Sequence, residues 1–294
     1  MNIDDRVTGQ TKLIGLIGNP VEHSISPMLH NSLSSLLGLD LVYVPLKVEK
    51  EDLHTVVKAL KALDFVGFNV TIPYKKEIMK YIDDNTIEAI LMGAVNTVKK
   101  IDGRLWGYNT DAEGFLRSFK EEAKTSFKGK KVVLIGAGGV ARPVAVKIAS
   151  EGAEKISIVN RTKEKAIDLA EVVNENVNEV VQVYNFEDKT FKMAFEESDI
   201  IINTTSVGMT PDVEETPVSG DYFNENQIVY DVIYNPVETK LLSDAKNKGC
   251  KTINGLGMLF YQGIKAYEIW TGVKLSDEDI KNIYGSFKEI LDSN

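Results

Sequence analysis

The chain has few of the residues that mark disulfide-stabilised or nucleic-acid-binding proteins. Cys250 is the only cysteine among 294 residues, so no disulfide can form within the chain, and we expect a reducing cytoplasm. The net charge is -9, and no basic block or interleaving of basic with aromatic residues occurs. Nucleic acid is therefore a poor candidate ligand, and a small-molecule partner is expected.

Long apolar runs and metal-ligand spacings are missing as well. The apolar runs are far too short to cross a bilayer, and the opening residues MNIDDRVTGQ lack the order of a secretory signal, so no membrane partner is expected. The histidines His23, His30 and His54 show no spacing that is typical of a metal site, either with one another or with Cys250. No metal is therefore predicted.

Apolar strand patterns alternate with helical patterns, which predicts an α/β fold. The first part contains KLIGLIG, a helix from Pro27 with Ser26 as a candidate N-cap, LVYVPLK, a helical stretch over 51–63, and FVGFNVTIP. AVNTVKK and RLWGYN then follow, joined by Asp102-Gly103, a pair that favours a two-residue hairpin. Mixed strand pairing is expected in this part.

The second part has the pattern of an open doubly wound sheet. After a helix-favouring stretch over 111–131 come five or six short apolar strands, in the runs KVVLIG, KISIVN, VVQVYNF, SDIIINT, QIVYDVI and KTING. The pattern is helical again from Gly257 onward, and we expect those last helices to pack on the first domain. This predicts a discontinuous domain of 1–110 plus 256–294 and a Rossmann-like domain of 111–255. Whether the chain is a monomer or a homodimer stays open.

The stretch VVLIGAGGVARPVAVKIA predicts a strand, a glycine-rich turn and a helix. A dinucleotide site needs this order, because Gly136 allows the tight turn and Gly138 lets the backbone approach a pyrophosphate at the helix N-terminus. Ala141 takes the third small position. Glycine also serves strand-to-helix turns for conformational reasons alone, so the motif by itself leaves a purely structural role open.

The turn after the next strand indicates which dinucleotide is bound. It reads Asn160-Arg161-Thr162, where a site that prefers NAD usually carries Asp or Glu for the ribose hydroxyl. Arg161 can pair with a 2′-phosphate, Thr162 can donate a hydrogen bond, and Lys165 adds charge one turn later. NADP is therefore predicted. The alternative is that Arg161 and Lys165 are solvated cations at the start of a helix.

Three polar segments, HSISPMLHN, NVTIPYK and GAVNTV leading to GYNTD, each follow an apolar strand of the first part. Ligands of open α/β sheets bind outside the carboxyl ends of the strands, so these segments predict a site for a polyol acid. Its hydroxyl and amide groups are those of Ser24, Ser26, Thr71 and Asn96. Lys75 and Asp111 supply a charged pair.

Reduction of a carbonyl group requires an acid that protonates the oxygen as negative charge develops on it. Lys75 can serve as that acid, and Asp111 can orient it or hold a substrate hydroxyl. Each residue also has a structural interpretation. Ser26 can be a helix cap, Thr71 a strand residue, Asn96 a turn former and Lys75 a solvated side chain.

Nine stretches resemble the shikimate dehydrogenase family in its order and spacing. They are GNPVEHSISPMLHN, GFNVTIPYK, GAVNTV, GYNTDAEGF, IGAGGVAR, NRT, NTTSVGM, DVIYNP and NGLGMLFYQG. The resemblance extends from Leu13 to the C-terminal helices. It implies two α/β domains, with the substrate held by the first and the cofactor NADP by the second.

The resemblance also implies roles for individual residues. The implied substrate positions are Ser24, Ser26, Thr71, Asn96, Tyr234 and Gln262, with Lys75 and Asp111 as the catalytic pair. The implied cofactor positions are Gly136, Ala137, Gly138, Gly139, Val140, Asn160, Arg161, Thr162, Lys165, Thr204, Ser206, Val232, Gly255 and Met258. The resemblance also places a loop on the cofactor side, with the residues Asn203, Thr204, Thr205, Ser206 and Gly208. A packing role for Tyr234, and a plain turn for this loop, stay open.

The activity implied by the resemblance is the reversible NADPH-dependent reduction of 3-dehydroshikimate to shikimate, an oxidoreductase step of chorismate and aromatic amino acid biosynthesis. The nearest rival is a quinate/shikimate dehydrogenase that uses NAD or both cofactors. Arg161 and the second serine of the SIS triplet, Ser26, argue against it. A methylene-tetrahydrofolate dehydrogenase would lack SIS and NVTIPYK. A non-catalytic NADP-binding module would need neither Lys75 nor Asp111.

Overall fold

The computed structural model describes residues 7–186 and 190–292. Contacts between Cα atoms divide the chain into two compact units. The first contains the residues up to Thr110 together with those from Gln262 onward, and the second is Asp111–Tyr261. The expected α/β architecture, with C-terminal helices completing the first unit, is confirmed. The second unit ends at Tyr261 and the chain returns to the first unit at Gln262, whereas the predicted division placed this boundary after residue 255.

The first unit is built on a six-stranded mixed sheet with the order β2-β1-β3-β5-β6-β4. The strands are β1 Lys12–Gly18, β2 Leu41–Lys47, β3 Phe65–Val70, β4 Asp84–Asn85, β5 Thr97–Ile101 and β6 Arg104–Tyr108. The β1 strand pairs in parallel with β2 and β3, and β5 runs antiparallel to β3. The start of β5 therefore lies at the carboxyl end of β3, which brings two of the predicted polar segments to one edge.

The predicted hairpin between β5 and β6 is present. Ile101 pairs with Arg104 across the turn, and both central residues adopt left-handed conformations, with φ 49° at Asp102 and 75° at Gly103. Two successive left-handed residues give the turn a twist that matches paired strands, which is why an Asp-Gly pair suits this position.

The helices are α1 Ser26–Leu36, α2 Leu53–Ala62, α3 Ile87–Met92, α4 Asp111–Ala123, α5 Ala141–Ser150, α6 Lys163–Asn176, α7 Phe191–Glu196, α8 Lys240–Asn247, α9 Leu256–Thr271 and α10 Asp277–Asp292. The predicted N-cap of α1 is wrong. Ile25 occupies the cap position without a side-chain cap bond, and Ser26 is already helical, its backbone N–H donating to Ser24 Oγ at 3.3 Å. None of the described helices is both long and apolar enough to cross a membrane.

The second unit is built on a parallel six-stranded sheet with the order β12-β11-β10-β7-β8-β9. The strands are β7 Lys131–Ile135, β8 Lys155–Val159, β9 Val181–Tyr184, β10 Ile200–Asn203, β11 Ile228–Asp231 and β12 Lys251–Ile253. The chain builds outward from β7 to β9 and then crosses to β10 on the other side of β7. This is the Rossmann strand order, and its switch point between β7 and β10 is where such sheets bind ligands.

The central strands of this sheet are buried on both faces. Val132 to Ile135 in β7 and all of β10 are buried, as expected for parallel strands that are covered by helices on both sides. The preceding helix α4 ends at Ala123, earlier than the helix-favouring stretch over 111–131 suggested. Lys124 has a left-handed φ of 57°, which cannot continue a right-handed helix.

Candidate active site

A cavity of about 660 Å³ lies in the second unit at the carboxyl ends of β7, β8 and β10. Its lining residues come from the glycine turn, the turn after β8, and the loops after β9 and β10. They are Ile135, Gly136, Ala137, Gly138, Val159, Asn160, Arg161, Thr162, Lys165, Phe186, Thr204, Thr205, Ser206, Val207, Thr216 and Pro217. Most of the predicted cofactor positions therefore line one cavity at the switch point of the sheet.

The glycine turn is joined closely to the loop after β10. Gly136 has a φ of 104°, and a Cβ atom on it would lie 2.8 Å from Thr204 Oγ1 and from Thr205 Cγ2. Thr204 is held in place by two hydrogen bonds to the Ile135 carbonyl oxygen, 2.9 Å from its backbone N and 2.7 Å from its Oγ1. Only glycine fits at position 136, because both the conformation and the contact exclude a side chain.

The next two glycines leave the backbone open. A Cβ atom on Gly138 or Gly139 would meet nothing within 4 Å, and both residues are exposed. Helix α5 begins two residues later at Ala141, so the positive end of its dipole lies beside this turn. An open backbone at a helix N-terminus fits a pyrophosphate.

Exposed cations lie at the other end of the cavity. Arg161, Thr162 and Lys165 are exposed, and the Asn160 amide donates to the Thr162 carbonyl oxygen at 2.7 Å, which fixes the turn. Among the described residues that line the cavity, none is a carboxylate. This chemistry fits a ribose 2′-phosphate, because guanidinium and ammonium groups attract a phosphate that a carboxylate would repel.

The remaining predicted cofactor residues do not line this cavity. Val140 occupies the N-cap position of α5. Gly255 packs against Val232, whose carbonyl oxygen would lie 2.0 Å from a Cβ atom on Gly255, so the two residues share a tight backbone contact. Tyr234 is half-buried in the same segment as Val232, and Met258 is buried on α9.

Sequence reasoning missed six residues on the cavity wall, which are Ile135, Val159, Phe186, Val207, Thr216 and Pro217. Phe186, Thr216 and Pro217 come from irregular segments after β9 and after β10. No local periodicity or turn motif connects these segments with the glycine turn, so their position depends on the tertiary fold alone.

In the first unit, Asn96 and Gln262 lie together. Asn96 is 2% exposed and exchanges two hydrogen bonds with Thr110, which are 2.9 Å from Asn96 Nδ2 to Thr110 Oγ1 and 2.8 Å from Thr110 N to Asn96 Oδ1. Gln262 Oε1 lies 3.4 Å from both Asn96 Nδ2 and Thr110 Oγ1. Two predicted substrate positions that are 166 residues apart are thus joined in one polar group.

A chain of buried hydrogen bonds connects this group with the SIS segment. Tyr43 donates to Asn69 Oδ1 at 2.8 Å, and Asn69 Nδ2 donates to Thr97 Oγ1 at 3.0 Å, next to Asn96. Burial raises the pKa of the Tyr43 phenol, and a hydrogen bond with the Ser26 side chain opposes this rise. Asn69 lies within the NVTIPYK stretch, so a sequence clue for it existed, whereas Tyr43 had none.

Lys75 and Thr71 lie at the carboxyl end of β3. Thr71 N donates to Ile17 O at 2.9 Å, and a Cβ atom on Gly18 would lie 2.3 Å from Thr71 Cγ2, so Thr71 sits against the end of β1. The Lys75 carbonyl oxygen accepts from Val95 N at 2.7 Å, which holds this segment beside Asn96. Ser24, Ser26, Thr71 and Lys75 are each half-buried.

Asp111 belongs to the other compact unit. It is the first residue of α4 and is 8% exposed. Tyr234 also belongs to the second unit.

Family models for three parts of one enzyme match successive parts of the chain. A shikimate dehydrogenase substrate binding domain matches residues 16–98, a shikimate / quinate 5-dehydrogenase model matches residues 119–227, and a shikimate 5'-dehydrogenase C-terminal domain matches residues 255–282. The chain belongs to the shikimate dehydrogenase family. The matches follow one another in chain order, and the first contains Ser24, Ser26, Thr71, Lys75 and Asn96.

Members of the shikimate dehydrogenase family are similar to this chain over almost its full length. Shikimate dehydrogenase (NADP(+)) of Methanocaldococcus jannaschii is 47% identical over 281 residues, 94% of this chain and 97% of that protein. The crystal structure of shikimate 5-dehydrogenase from Listeria monocytogenes in complex with shikimate and NAD is 42% identical, with a TM-score of 0.89 over 96% of this chain and 99% of that chain.

A further shikimate dehydrogenase structure contains the phosphorylated cofactor. Shikimate 5-dehydrogenase from Thermus thermophilus, in complex with NADP(H) and shikimate, is 32% identical, with a TM-score of 0.83 over 94% of this chain and 99% of that chain.

Proposed function

We propose that the chain is an NADP-dependent shikimate dehydrogenase that reversibly reduces 3-dehydroshikimate to shikimate, a step that leads to chorismate and the aromatic amino acids. The observation that supports this proposal is the cavity at the switch point between β7 and β10. Both the open glycine turn and the Arg161 turn line this one cavity. The family supplies the substrate class, since its members named above are shikimate dehydrogenases.

The second unit is proposed to bind NADP. Gly136, Gly138 and the start of α5 would hold the pyrophosphate, because the open glycine turn lets an anion approach the positive end of the helix dipole. Arg161 and Lys165 would hold the 2′-phosphate. Val232, Gly255 and Met258 are kept as proposed neighbours of the nicotinamide, on the family resemblance alone.

The first unit is proposed to bind the substrate. Ser24, Ser26, Thr71, Asn96 and Gln262 would form hydrogen bonds with its hydroxyl and carboxylate groups. The buried network from Tyr43 to Thr97 supports this, because it fixes the orientation of Asn96 before any ligand arrives. A site that is already ordered loses less side-chain entropy on binding.

Lys75 is proposed as the proton donor and Asp111 as the group that orients it or holds a substrate hydroxyl. When bound, NADPH supplies the hydride that adds to the carbonyl carbon. The Lys75 ammonium stabilises the negative charge that develops on the oxygen and gives it a proton, so that a C–OH group results. In the oxidative direction neutral Lys75 takes the hydroxyl proton back.

The predicted functional domains, 1–110 plus 256–294 for the substrate and 111–255 for NADP, are retained as part of this proposal. So is a cytoplasmic location, which the single cysteine supports. The oligomeric state is proposed as monomer or homodimer.

A second candidate function is a quinate/shikimate dehydrogenase that also uses NAD. The specific observation in its favour is that the Listeria monocytogenes relative was crystallised with NAD. Against it stands the cavity wall, where Arg161 and Lys165 meet no described carboxylate. With NAD, an uncharged ribose hydroxyl would lie beside these two cations. The cations would then add little to the affinity for the cofactor.

The test is to follow NADPH oxidation with 3-dehydroshikimate and to compare it with NADH and with 3-dehydroquinate under the same conditions. The proposal predicts that the pair of NADPH and 3-dehydroshikimate gives the highest kcat/KM. Equal rates with NADH, or faster reduction of 3-dehydroquinate, would favour the second function. No reduction of either ketone would refute both functions.

A further inference from the structure

Two buried polar side chains meet behind the cofactor cavity without lining it. Asn203 and Asp231 are the last residues of β10 and β11, they pair in register across the two strands, and each is 0% exposed. Burial of a carboxylate is energetically unfavourable unless the carboxylate is hydrogen-bonded, so a specific role is expected for Asp231. Asp231 is not among the residues predicted from the sequence.

Asp231 accepts three hydrogen bonds. Asn203 Nδ2 and Ile233 N each donate to Oδ1 at 3.0 Å, and Thr239 Oγ1 donates to Oδ2 at 2.7 Å. Burial raises the pKa of Asp231 to about 6, while the bonds from Thr239, Ile233 and Asn203 oppose this rise. The carboxylate is thus surrounded by donors that come from the end of β10, the segment after β11 and the start of α8.

The carboxylate decides which way the Asn203 amide faces. An ionised carboxylate can only accept hydrogen bonds, so Asn203 must present its NH₂ group to Asp231 and its oxygen to the opposite side. On that side Asn203 Oδ1 accepts from Thr205 N at 3.0 Å and from Thr205 Oγ1 at 2.7 Å. Thr205 Oγ1 in turn accepts from Val207 N at 3.2 Å. Thr205 and Val207 both line the cofactor cavity.

We infer that Asp231 is a positioning residue for the cofactor site, which acts through Asn203 to hold the loop Thr204–Val207 against the glycine turn. The contact of Gly136 with Thr204 and Thr205 explains why a fixed loop matters, because a displaced Thr205 would move into the turn or leave the wall. The inference rests on the proposed function only in taking NADP as the ligand of this cavity.

A second arm leads from the same carboxylate to the segment after β11. Ile233 N is bound to Asp231, Ile233 O accepts from Gly255 N at 2.9 Å, and Val232 N donates to Asn203 O at 3.1 Å. Removal of the carboxylate should therefore loosen both Thr205 and Ile233.

The test uses the full-length unliganded protein and three variants. Asp231→Ala removes the acceptor, Asn203→Ala removes the link but keeps the carboxylate, and Asp231→Asn keeps an oxygen that can still accept from Asn203 and Ile233. The matched control is Asp199→Ala, at the start of β10, where the carboxylate accepts from Lys131 N at 2.9 Å. Two quantities are measured, which are amide hydrogen exchange at Thr205 and Val207 and the dissociation constant of NADPH by its own fluorescence.

Asp231→Ala and Asn203→Ala should each speed exchange at Thr205 and Val207 and weaken NADPH binding by about tenfold, the size of one lost hydrogen bond to a charged group. Asp231→Asn should restore binding to within about threefold of the wild type. Asp199→Ala should change neither quantity. If Asp231→Ala fails to fold, Asn203→Ala decides.

The inference would be overturned if Asp231→Ala changed neither the amide exchange at Thr205 and Val207 nor the binding of NADPH. If Asp231→Ala does not fold, the same result in Asn203→Ala would overturn it. Equal losses of NADPH affinity in Asp231→Asn and Asp231→Ala would also overturn it, because Asp231→Asn keeps the oxygen that fixes the Asn203 amide. Absence of shikimate turnover in the wild type would refute the proposed function instead, since the exchange measurement needs no substrate.

Discussion

Arg161 and Lys165 are the two cations among the described residues of the cavity wall, and both are exposed. An exposed cation contributes little to the stability of the fold, so the presence of these two cations is best explained by a ligand of opposite charge. Arginine is suited to a phosphate because its planar guanidinium can donate two parallel hydrogen bonds.

Replacement of this cation should change the cofactor preference. Arg161→Asp removes the partner of the 2′-phosphate and adds a repelling charge that can instead accept from a ribose hydroxyl. The ratio of kcat/KM for NADPH to that for NADH should fall by about 100-fold. Lys163→Asp, which makes the same charge change at the start of α6 but outside the cavity wall, should leave this ratio nearly unchanged. An unaltered NADP preference in Arg161→Asp would defeat the assignment.

His30 is a second residue with a distinctive environment. It is 0% exposed, neither ring nitrogen has a hydrogen-bond partner among the described residues, and its ring stacks on Tyr43 at 4.4 Å between centroids. Burial lowers its pKa from 6.5 to about 3. The folded protein therefore keeps this imidazole neutral, in a role of packing rather than catalysis.

This burial predicts a loss of stability in acid. Between the two pKa values the unfolded chain binds a proton at His30 that the folded chain does not, so the free energy of unfolding falls as pH drops below 6.5. The loss at this site between pH 7.5 and 5 should be about 2 kcal/mol. His30→Phe should remove that part of the pH dependence in urea unfolding, whereas the same change at the exposed His54 should leave the slope intact. Parallel pH profiles for wild type and His30→Phe would contradict this explanation.

The turn between β7 and α5 contains glycines that serve two different purposes. Gly136 is required by the fold, because a Cβ atom would strike Thr204 and Thr205. A Cβ atom on Gly138 would meet no protein atom within 4 Å, so glycine there leaves room for a ligand.

Alanine at each position should therefore give a different result. Gly136→Ala should lower both the stability of the unliganded protein and its affinity for NADPH, with a cost of about 1 kcal/mol or more from the left-handed conformation alone. Gly138→Ala should leave the unliganded stability unchanged and weaken only NADPH binding. Thermal unfolding without ligand and fluorescence titration with NADPH check both. Normal NADPH affinity in Gly138→Ala would mean that the cofactor does not approach this turn.

Elements with local causes were predictable from the sequence. The Asp102-Gly103 hairpin and the glycine turn after β7 depend on neighbouring residues, and both are present. The α1 cap and the length of α4 also looked local but were decided by competing contacts, since Ser24 Oγ takes the Ser26 N–H and Lys124 turns left-handed. Tyr43, Phe186 and Asp231 could not be predicted, because their roles depend on which strands become neighbours.

For the whole molecule, the C-terminal segment returns to the first unit and completes it. Trp270 Nε1 donates to Val98 O at 2.8 Å, Lys99 Nζ donates to Ile269 O at 2.6 Å, and Gln262 joins Asn96. The end of α9 is thus bonded to β5, although the whole second unit lies between them in the sequence. Contacts of such long range make the proposed substrate site a property of the complete chain rather than of its first part.

Lys75 is proposed to give the proton that completes carbonyl reduction, and a comparison of Lys75→Ala with Lys76→Ala, its exposed neighbour, tests this role. With 3-dehydroshikimate and NADPH, kcat of Lys75→Ala should fall by about 1,000-fold, within the range that general acids contribute. Its NADPH dissociation constant should stay near the wild-type value, and Lys76→Ala should retain full turnover. A Lys75→Ala protein that keeps wild-type kcat would show that Lys75 is not the proton donor.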